Sequence, residues 1–334
     1  MWYKVFLENG LIPDFLIRWK IRKLLQERLE ESMHFNLESF VSNLKSSPIA
    51  IETKAANEQH YEVPTEFYKL CLGKNLKYSG CLFEGTEDLD AAEEKMLELY
   101  CERGEFKDGM DVLELGCGWG SLSLFLAKKY PNSKITGLSN SSTQKIFIDA
   151  MAAERGIRNL EIITADINVF SIAKQFDRVV SIEMFEHLRN YQELFKRISS
   201  WMKPDARMFV HIFSHKDFAY KFEVKDESDW MSKYFFTGGI MPSHRLFFEF
   251  SEHLKIEKDW KVNGTHYGKT AECWLRKMDE NKIEIIDIFE RCYGPDQAKK
   301  WFEYWRIFFM SCAELWNFRN GEEWGVSHYL FRKA

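Results

Sequence analysis

Apolar positions in the first hundred residues recur at helical spacing. Over residues 13–31, Phe15, Leu16, Trp19, Ile21, Leu24, Leu25 and Leu29 are interleaved with Arg18, Lys20, Arg22, Lys23 and Arg28. That pattern predicts an amphipathic helix docked on the body with a solvated basic face, a membrane-surface helix being the alternative. Two more helices are expected at 35–44 and 90–101. From about residue 108 the period changes. Short apolar runs at 110–115, 134–138, 160–164, 176–182 and 207–213 alternate with helical segments at 122–129, 142–155 and 191–202. Strands alternating with helices predict an α/β fold built on a doubly wound, Rossmann-like parallel sheet. Later strands are expected at 256–262 and 324–331, and the aromatic stretch 265–321 between them reads as a helical cap. Residues 1–105 then form a helical N-terminal extension contributing to the lid, and 106–334 the catalytic domain.

Composition narrows the function classes. A net charge of −5 argues against a general nucleic-acid-binding surface. Seven scattered cysteines form no C-x-x-C pair, so neither a zinc ribbon nor a disulfide framework is expected. No apolar run reaches the roughly 18 residues of a spanning helix, and the start lacks a signal-peptide layout. A reducing cytoplasm is the expected location, with a monomer or homodimer as the assembly. Aromatics reach 16%, many between Trp301 and Trp316. They read first as core packing, and second as the wall of a pocket for a flat or cationic ligand.

The first strand runs into Glu114-Leu115-Gly116-Cys117-Gly118-Trp119-Gly120. Glycines there permit a tight turn and close approach of backbone to a ligand. A nicotinamide site would place a carboxylate about 20 residues on, at the end of the second strand. That strand ends instead in Ser139-Asn140-Ser141, with Gln144 beyond, all able to bind hydroxyls. Glu114 is placed to meet an ammonium, and Asp166, after the third strand, an adenine amino group. The combination favours S-adenosylmethionine over NAD as cofactor.

At the end of the fourth strand come Glu183-Met184-Phe185-Glu186-His187. Two carboxylates three residues apart beside a histidine suit an amine acceptor, whose proton must leave before its lone pair can attack. Glu186 and His187 are expected to remove that proton and Glu183 to hold the cationic amine; the alternative is that all three simply cap the next helix. His211 on the fifth strand belongs either to the core or to the pocket, as does His215. No H-E-x-x-H occurs, and no metal is expected.

The glycine turn, Glu183–His187 and the Tyr78-Ser79 pair resemble the cyclopropane fatty acid synthase superfamily of methyltransferases, and within it the coclaurine N-methyltransferase group. Shared segments run nearly end to end, from Ile12-Pro13-Asp14 and the string 60–64 to Tyr234–Gly239 and Gly321–Trp324. The resemblance implies a class I methyltransferase sheet and N-methylation of a small aromatic or isoquinoline-type amine, with lipid methylation of the cyclopropane synthase type, and its membrane contact, as the alternative. It implies that Tyr78 and Ser79 contact the methionine part of the cofactor, that Gly116 and Gly118 pass under it, and that Ser139 and Gln144 reach the ribose. It makes Glu183, Glu186 and His187 the catalytic set. His211, Phe213, Tyr267, Trp324 and Tyr329 are the expected pocket residues. The lipid branch holds bicarbonate with five residues whose counterparts here are Gly80, Glu186, His211, Phe213 and Tyr267, with Cys81 one residue from the first. Two of those five side chains differ, so no bicarbonate dependence is expected. A scaffold that binds cofactor without turnover and a NAD-dependent oxidoreductase are the remaining rivals.

Overall fold

The computed structural model describes residues 3–51, 63–224 and 230–334. The motif residues His60, Tyr61 and Glu62 lie outside the described residues. Seven strands form one sheet in the order β3-β2-β1-β4-β5-β9-β8. They are β1 (Asp111–Leu115), β2 (Lys134–Ser139), β3 (Leu160–Thr164), β4 (Phe176–Ile182), β5 (Met202–His215), β8 (Leu254–Val262) and β9 (Trp324–Lys333). A separate antiparallel pair joins β6 (Tyr220–Lys221) to β7 (Ile240–Met241).

β1 to β5 are parallel, and their inward runs of Val, Ile and Leu are buried on both faces by crossover helices. Helix starts coincide with side-chain caps: Ser141 accepts from Gln144 N–H, Asn190 from Glu193 N–H, and Asp88 from Ala91 N–H. β5 extends five residues before the expected 207–213 run, pairing Met202 with Phe176 across an irregularity. β9 is antiparallel to β5 and to β8. The strand order reverses between β1 and β4, and the chain leaves both at the same edge, Leu115 lying beside Ser181. Such a switch point opens a crevice for ligands.

Helices Gly264–Glu280, Lys282–Tyr293 and Pro295–Asn317 form the cap. Phe302, Tyr304, Trp305 and Phe309 on the last of these are buried, in one hydrophobic cluster with Phe67, Tyr68 and Met96 from the N-terminal part. Most of the aromatic excess is therefore core. The first long helix, Asp14–Ser32, docks on this cap but in the opposite sense to the expected one. Arg18 pairs with Glu272 and Glu314, and Arg22 with Glu314, so part of the basic face turns inward. Phe15, Leu16 and Trp19 are exposed instead. The acids that reorient it lie more than 250 residues away, beyond the reach of local periodicity. No helix among the described residues is long and apolar enough to cross a membrane.

Candidate active site

Two cavities meet at the switch point. One, of about 200 Å³, is lined by Tyr78, Ser79, Glu114, Glu183 and an apolar wall that includes Phe213, Phe236, Tyr267, Phe308 and Trp316. The other, of about 70 Å³, is lined by Ser139, Asn140, Asp166 and Ile167 at the ends of β2 and β3. Gly116, Gly118, Gln144, Met184 and His187 belong to both.

Gly116 and Gly118 have φ of +77° and +51°, conformations that a side chain strains. A Cβ on Gly116 would come within 2.9 Å of Met184, whereas the space before Gly118 is open. This is bare backbone facing a cavity. Gln144 Nε2 and Ser121 Oγ line the cavities, buried and without a hydrogen-bond partner in the protein. Buried polar atoms of this kind call for a ligand. Ser139 Oγ donates to Gln144 Oε1 at 2.7 Å, which fixes that amide with its nitrogen spare. Glu114 accepts from the Ser123 hydroxyl, and burial pushes its pKa up to about 7. A cation at Glu114 would offset that burial. Asp166 spends one oxygen on Asn168 N–H at 2.8 Å and keeps the other. The donor set fits S-adenosylmethionine: a carboxylate for its ammonium, amide and hydroxyl groups for the ribose, and a loop carboxylate for the adenine.

Glu183 is the first residue past β4 and holds φ of +47°, a left-handed conformation that only surrounding contacts can enforce in a glutamate. Its backbone N–H donates to His211 O at 2.9 Å. Its Oε1 accepts from Gly80 N–H and His211 Nε2, both at 2.9 Å, and its Oε2 from the Tyr267 hydroxyl at 2.7 Å. Three donors on a carboxylate with four acceptor sites leave one free, and the 10% of the side chain still exposed borders the cavity. Burial raises its pKa to about 7, opposed first by the Lys77 charge and then by the Tyr267 hydroxyl. Tyr267 stacks on Trp316 at 4.7 Å, nearly parallel.

Glu186 lies in the 3₁₀ turn Phe185–His187, fully buried and off the cavity wall. Its Oε1 accepts from Phe213 N–H at 2.7 Å, and its Oε2 has no hydrogen-bond partner in the protein. Burial first, and then the Glu183 charge, hold its pKa well above the carboxylate range. Neighbouring buried acids resist being ionised together, and burial weighs more heavily on Glu186 than on Glu183. His187 does reach the cavity, with its ring 4.6 Å from Phe236.

Several expected residues go elsewhere. Trp324 is buried against His215 and Phe318 and donates to the Tyr220 hydroxyl. Tyr329 donates to His244 O at 2.6 Å and packs on Phe247. Neither lines either of these two cavities. Side chains alternate along β9, and register sends these two into cores on either side of the sheet. Gly120 also stays off both cavities; at φ +80° it begins helix Ser121–Lys129, where a Cβ would strike Ile148. His211 stands behind Glu183 rather than in the pocket wall. Phe213 and Tyr267 line it as expected.

The residues matched to a bicarbonate site do converge, but on protein groups. Gly80 N–H, His211 and Tyr267 serve Glu183, and Phe213 N–H serves Glu186. A Cβ on Gly80 would meet the Tyr267 ring at 3.0 Å, so a side chain there would have to push that ring aside. Cys81 is buried, donating to Ser79 O, and cannot take its place. Sequence reasoning missed Lys77, whose buried ammonium donates to Ser79 Oγ and Gly80 O, both at 2.5 Å. Of the C-terminal aromatics read as core or pocket wall, Phe308 and Trp316 line the cavity. A buried lysine leaves no local pattern, although its place two residues before Ser79 was a hint.

The family described as mycolic acid cyclopropane synthetase matches residues 50–323. (S)-coclaurine N-methyltransferase of Thalictrum flavum subsp. glaucum is 40% identical over 98% of this chain and 94% of its own. Pavine N-methyltransferase of the same plant is 36% identical, over 98% and 95%. Among solved structures, coclaurine N-methyltransferase bound to N-methylheliamine and SAH superposes with a TM-score of 0.94 at 38% identity, over 99% of this chain and 98% of that one.

Proposed function

Since the chain belongs to the mycolic acid cyclopropane synthetase family and is an S-adenosylmethionine-dependent methyltransferase, we propose that it methylates the nitrogen of a small isoquinoline-type amine, with Glu183 as proton acceptor. The observation that carries this is one carboxylate with a single free acceptor site, set in an aromatic cavity beside the glycine turn. S-adenosylmethionine supplies an electrophilic methyl group when bound, so the protein has only to position the acceptor and free its lone pair.

Tyr267, Trp316, Phe213 and Phe236 offer faces to a flat ring and to a cationic nitrogen. Glu183 holds the protonated amine and takes its N–H proton onto the free site of Oε2. With a pKa of about 7, that carboxylate is mostly ionised in mildly alkaline solution and still basic enough to accept. His187 borders the same space and positions the ring through Phe236. Glu186 keeps its proton and holds Phe213, and so acts from behind the wall. These roles reverse the order that position along the turn suggested. The relatives named for coclaurine and pavine support an isoquinoline-type acceptor. Seven unpaired thiols suit a reducing compartment.

The test is to incubate the protein with methyl-labelled donor and a panel of phenylalkylamines, 1,2,3,4-tetrahydroisoquinoline and an unsaturated phospholipid. Label on nitrogen, with a gain of one CH2, is the expected product. Label on the acyl chain, with every amine inert, overturns the proposal.

A further inference from the structure

Behind Glu183 a line of buried polar groups runs along one face of the sheet towards its β8 edge. His211 on β5 and His328 on β9 are direct cross-strand partners. His211 Nδ1 lies 2.9 Å from His328 Nε2, and His328 Nδ1 lies 2.8 Å from Arg103 Nη1. Arg103 ends helix Leu89–Arg103 and lies 5.0 Å over the Trp260 ring on β8. At the other end His211 Nε2 meets Glu183 Oε1 at 2.9 Å. Both histidines are fully buried, and burial holds their pKa values well below the ordinary imidazole range, with Lys77 and Arg103 adding to the effect. The rings are therefore neutral, and each has one donor nitrogen and one acceptor.

The direction of the chain then follows from its outer end. A guanidinium can only donate, so His328 Nδ1 accepts and His328 carries its proton on Nε2. That proton points at His211 Nδ1, so His211 carries its own on Nε2, aimed at Glu183. The Tyr100 hydroxyl also lies 2.9 Å from His211 Nδ1, but that nitrogen has a single lone pair and accepts from one donor at a time. We infer that Arg103 and His328 are positioning residues which, through His211, fix the polarity of this chain and thereby keep Glu183 an ionised proton acceptor.

Reversing the chain shows why. A proton on His211 Nδ1 leaves its Nε2 as an acceptor facing Glu183, and Glu183 must then carry a proton on Oε1 to keep that hydrogen bond. Both imidazoles stay neutral, and the acid gains one proton. With Arg103 present, that arrangement sets His328 Nδ1–H against a guanidinium N–H, donor against donor. Nor is the chain an exit for the proton taken from substrate, because it ends on a group that cannot accept one. The proton leaves by the cavity. The other ionisable groups around Glu183 are Lys77, Cys81, Tyr100, Glu186, Tyr267 and Cys312. Of these only Tyr100 touches an imidazole of the chain, and its hydroxyl can turn to suit either tautomer of His211.

The inference rests on Glu183 being the proton acceptor, and the experiment separates the two. With tetrahydroisoquinoline as substrate, kcat and KM are measured against pH for wild type, Arg103→Met, Arg103→Lys, His328→Phe and Glu183→Gln. In Arg103→Met and His328→Phe the acid limb of kcat moves up by about one pH unit, the scale of losing one favourable polar partner. Their rates converge on wild type at higher pH with KM unchanged, and Arg103→Lys, still a pure donor, restores the original limb. An equal loss at every pH, or an unmoved limb while Glu183→Gln abolishes it, overturns the chain and leaves Glu183 in place. Retention of the limb in Glu183→Gln removes the proton acceptor itself and the inference with it. Nitrogen-15 spectra of histidine-labelled wild-type protein give a readout that needs no variant to fold: both rings carry hydrogen on Nε2 alone. A proton on His328 Nδ1 overturns the proposal.

Discussion

Replacing Glu183 by glutamine removes one charge and almost no volume, so its effects can be worked through. Loss of a positioned general base costs roughly 100- to 10,000-fold in kcat, or about 3–5 kcal/mol of barrier. Loss of attraction to a cationic amine adds to KM; two unit charges about 4 Å apart in a partly shielded site attract by roughly 4 kcal/mol. The three donors now converge on an amide with one oxygen, and its NH2 must face one of them. With the amide oxygen in the place of Oε1, Gly80 N–H and His211 keep their acceptor; the NH2 then faces Tyr267, whose hydroxyl must turn to accept and loses the acceptor for its own proton. A buried donor left unmatched costs about 1–3 kcal/mol of stability, so folding should be checked by thermal unfolding before rates are compared. Rates are then read with tetrahydroisoquinoline across a pH range reaching the amine's own pKa. Wild-type kcat should rise through about pH 7, since the acceptor must be unprotonated, and the variant should lack that limb. Near the amine's pKa the two should approach each other, because the free base needs no acceptor. If Glu186→Gln falls as far as Glu183→Gln and loses the same limb, the proton goes to the buried acid and the assignment is refuted.

Other outcomes follow from the same geometry. Gly118→Val puts a branched side chain into the open space before the turn at φ +51°, and should abolish S-adenosylmethionine binding in calorimetry; unchanged affinity would remove the cradle from the site. Bicarbonate depletion should leave the rate unaltered, since every donor matched to an anion site already serves Glu183 or Glu186; a loss restored by adding bicarbonate would show otherwise. Glu114 has a folded pKa of about 7 against 4.5 unfolded, so the apo protein binds the extra proton between those values. Its contribution to stability therefore falls by about 3 kcal/mol as pH rises across that window. Glu114→Gln should lose this fall relative to wild type in denaturant titrations on either side, and an unchanged difference would place the carboxyl in water.

What could be read from the sequence was what nearby residues decide. Val112 to Leu115 and Val179 to Ile182 are strands because their own apolar runs must be buried on two faces, and Glu114, Gly116 and Glu183 inherit their places at the strand ends. Ser139, Asn140 and Asp166 followed by the same logic. That Trp324 and Tyr329 lie off the two cavities could not be read, because the face a strand residue turns to the core depends on register with a partner more than a hundred residues away. Arg103 and His328 escaped for the same reason: only the pairing of His211 with His328 brings them behind Glu183. That Glu186 lies off the cavity wall could not be read either, because a carboxylate at a strand end says nothing about which way the following turn rolls it. The helices Tyr3–Glu8 and Thr65–Cys71 were too short for periodicity to register.

The place of β9 has a bearing on how the molecule is made. Of the nine strands among the described residues it leaves the ribosome last, yet it sits inside the sheet, between β5 and β8. Until it arrives, β5 offers a long unpaired edge and β8 has no neighbour at all, an arrangement open to mispairing with other chains. Lys255, Lys258 and Lys261 along β8 discourage such stacking meanwhile. Insertion of β9 closes the sheet and in the same step delivers His328 behind Glu183. Nascent chains with the glycine turn already formed would thus still lack an inner strand of the sheet that carries it.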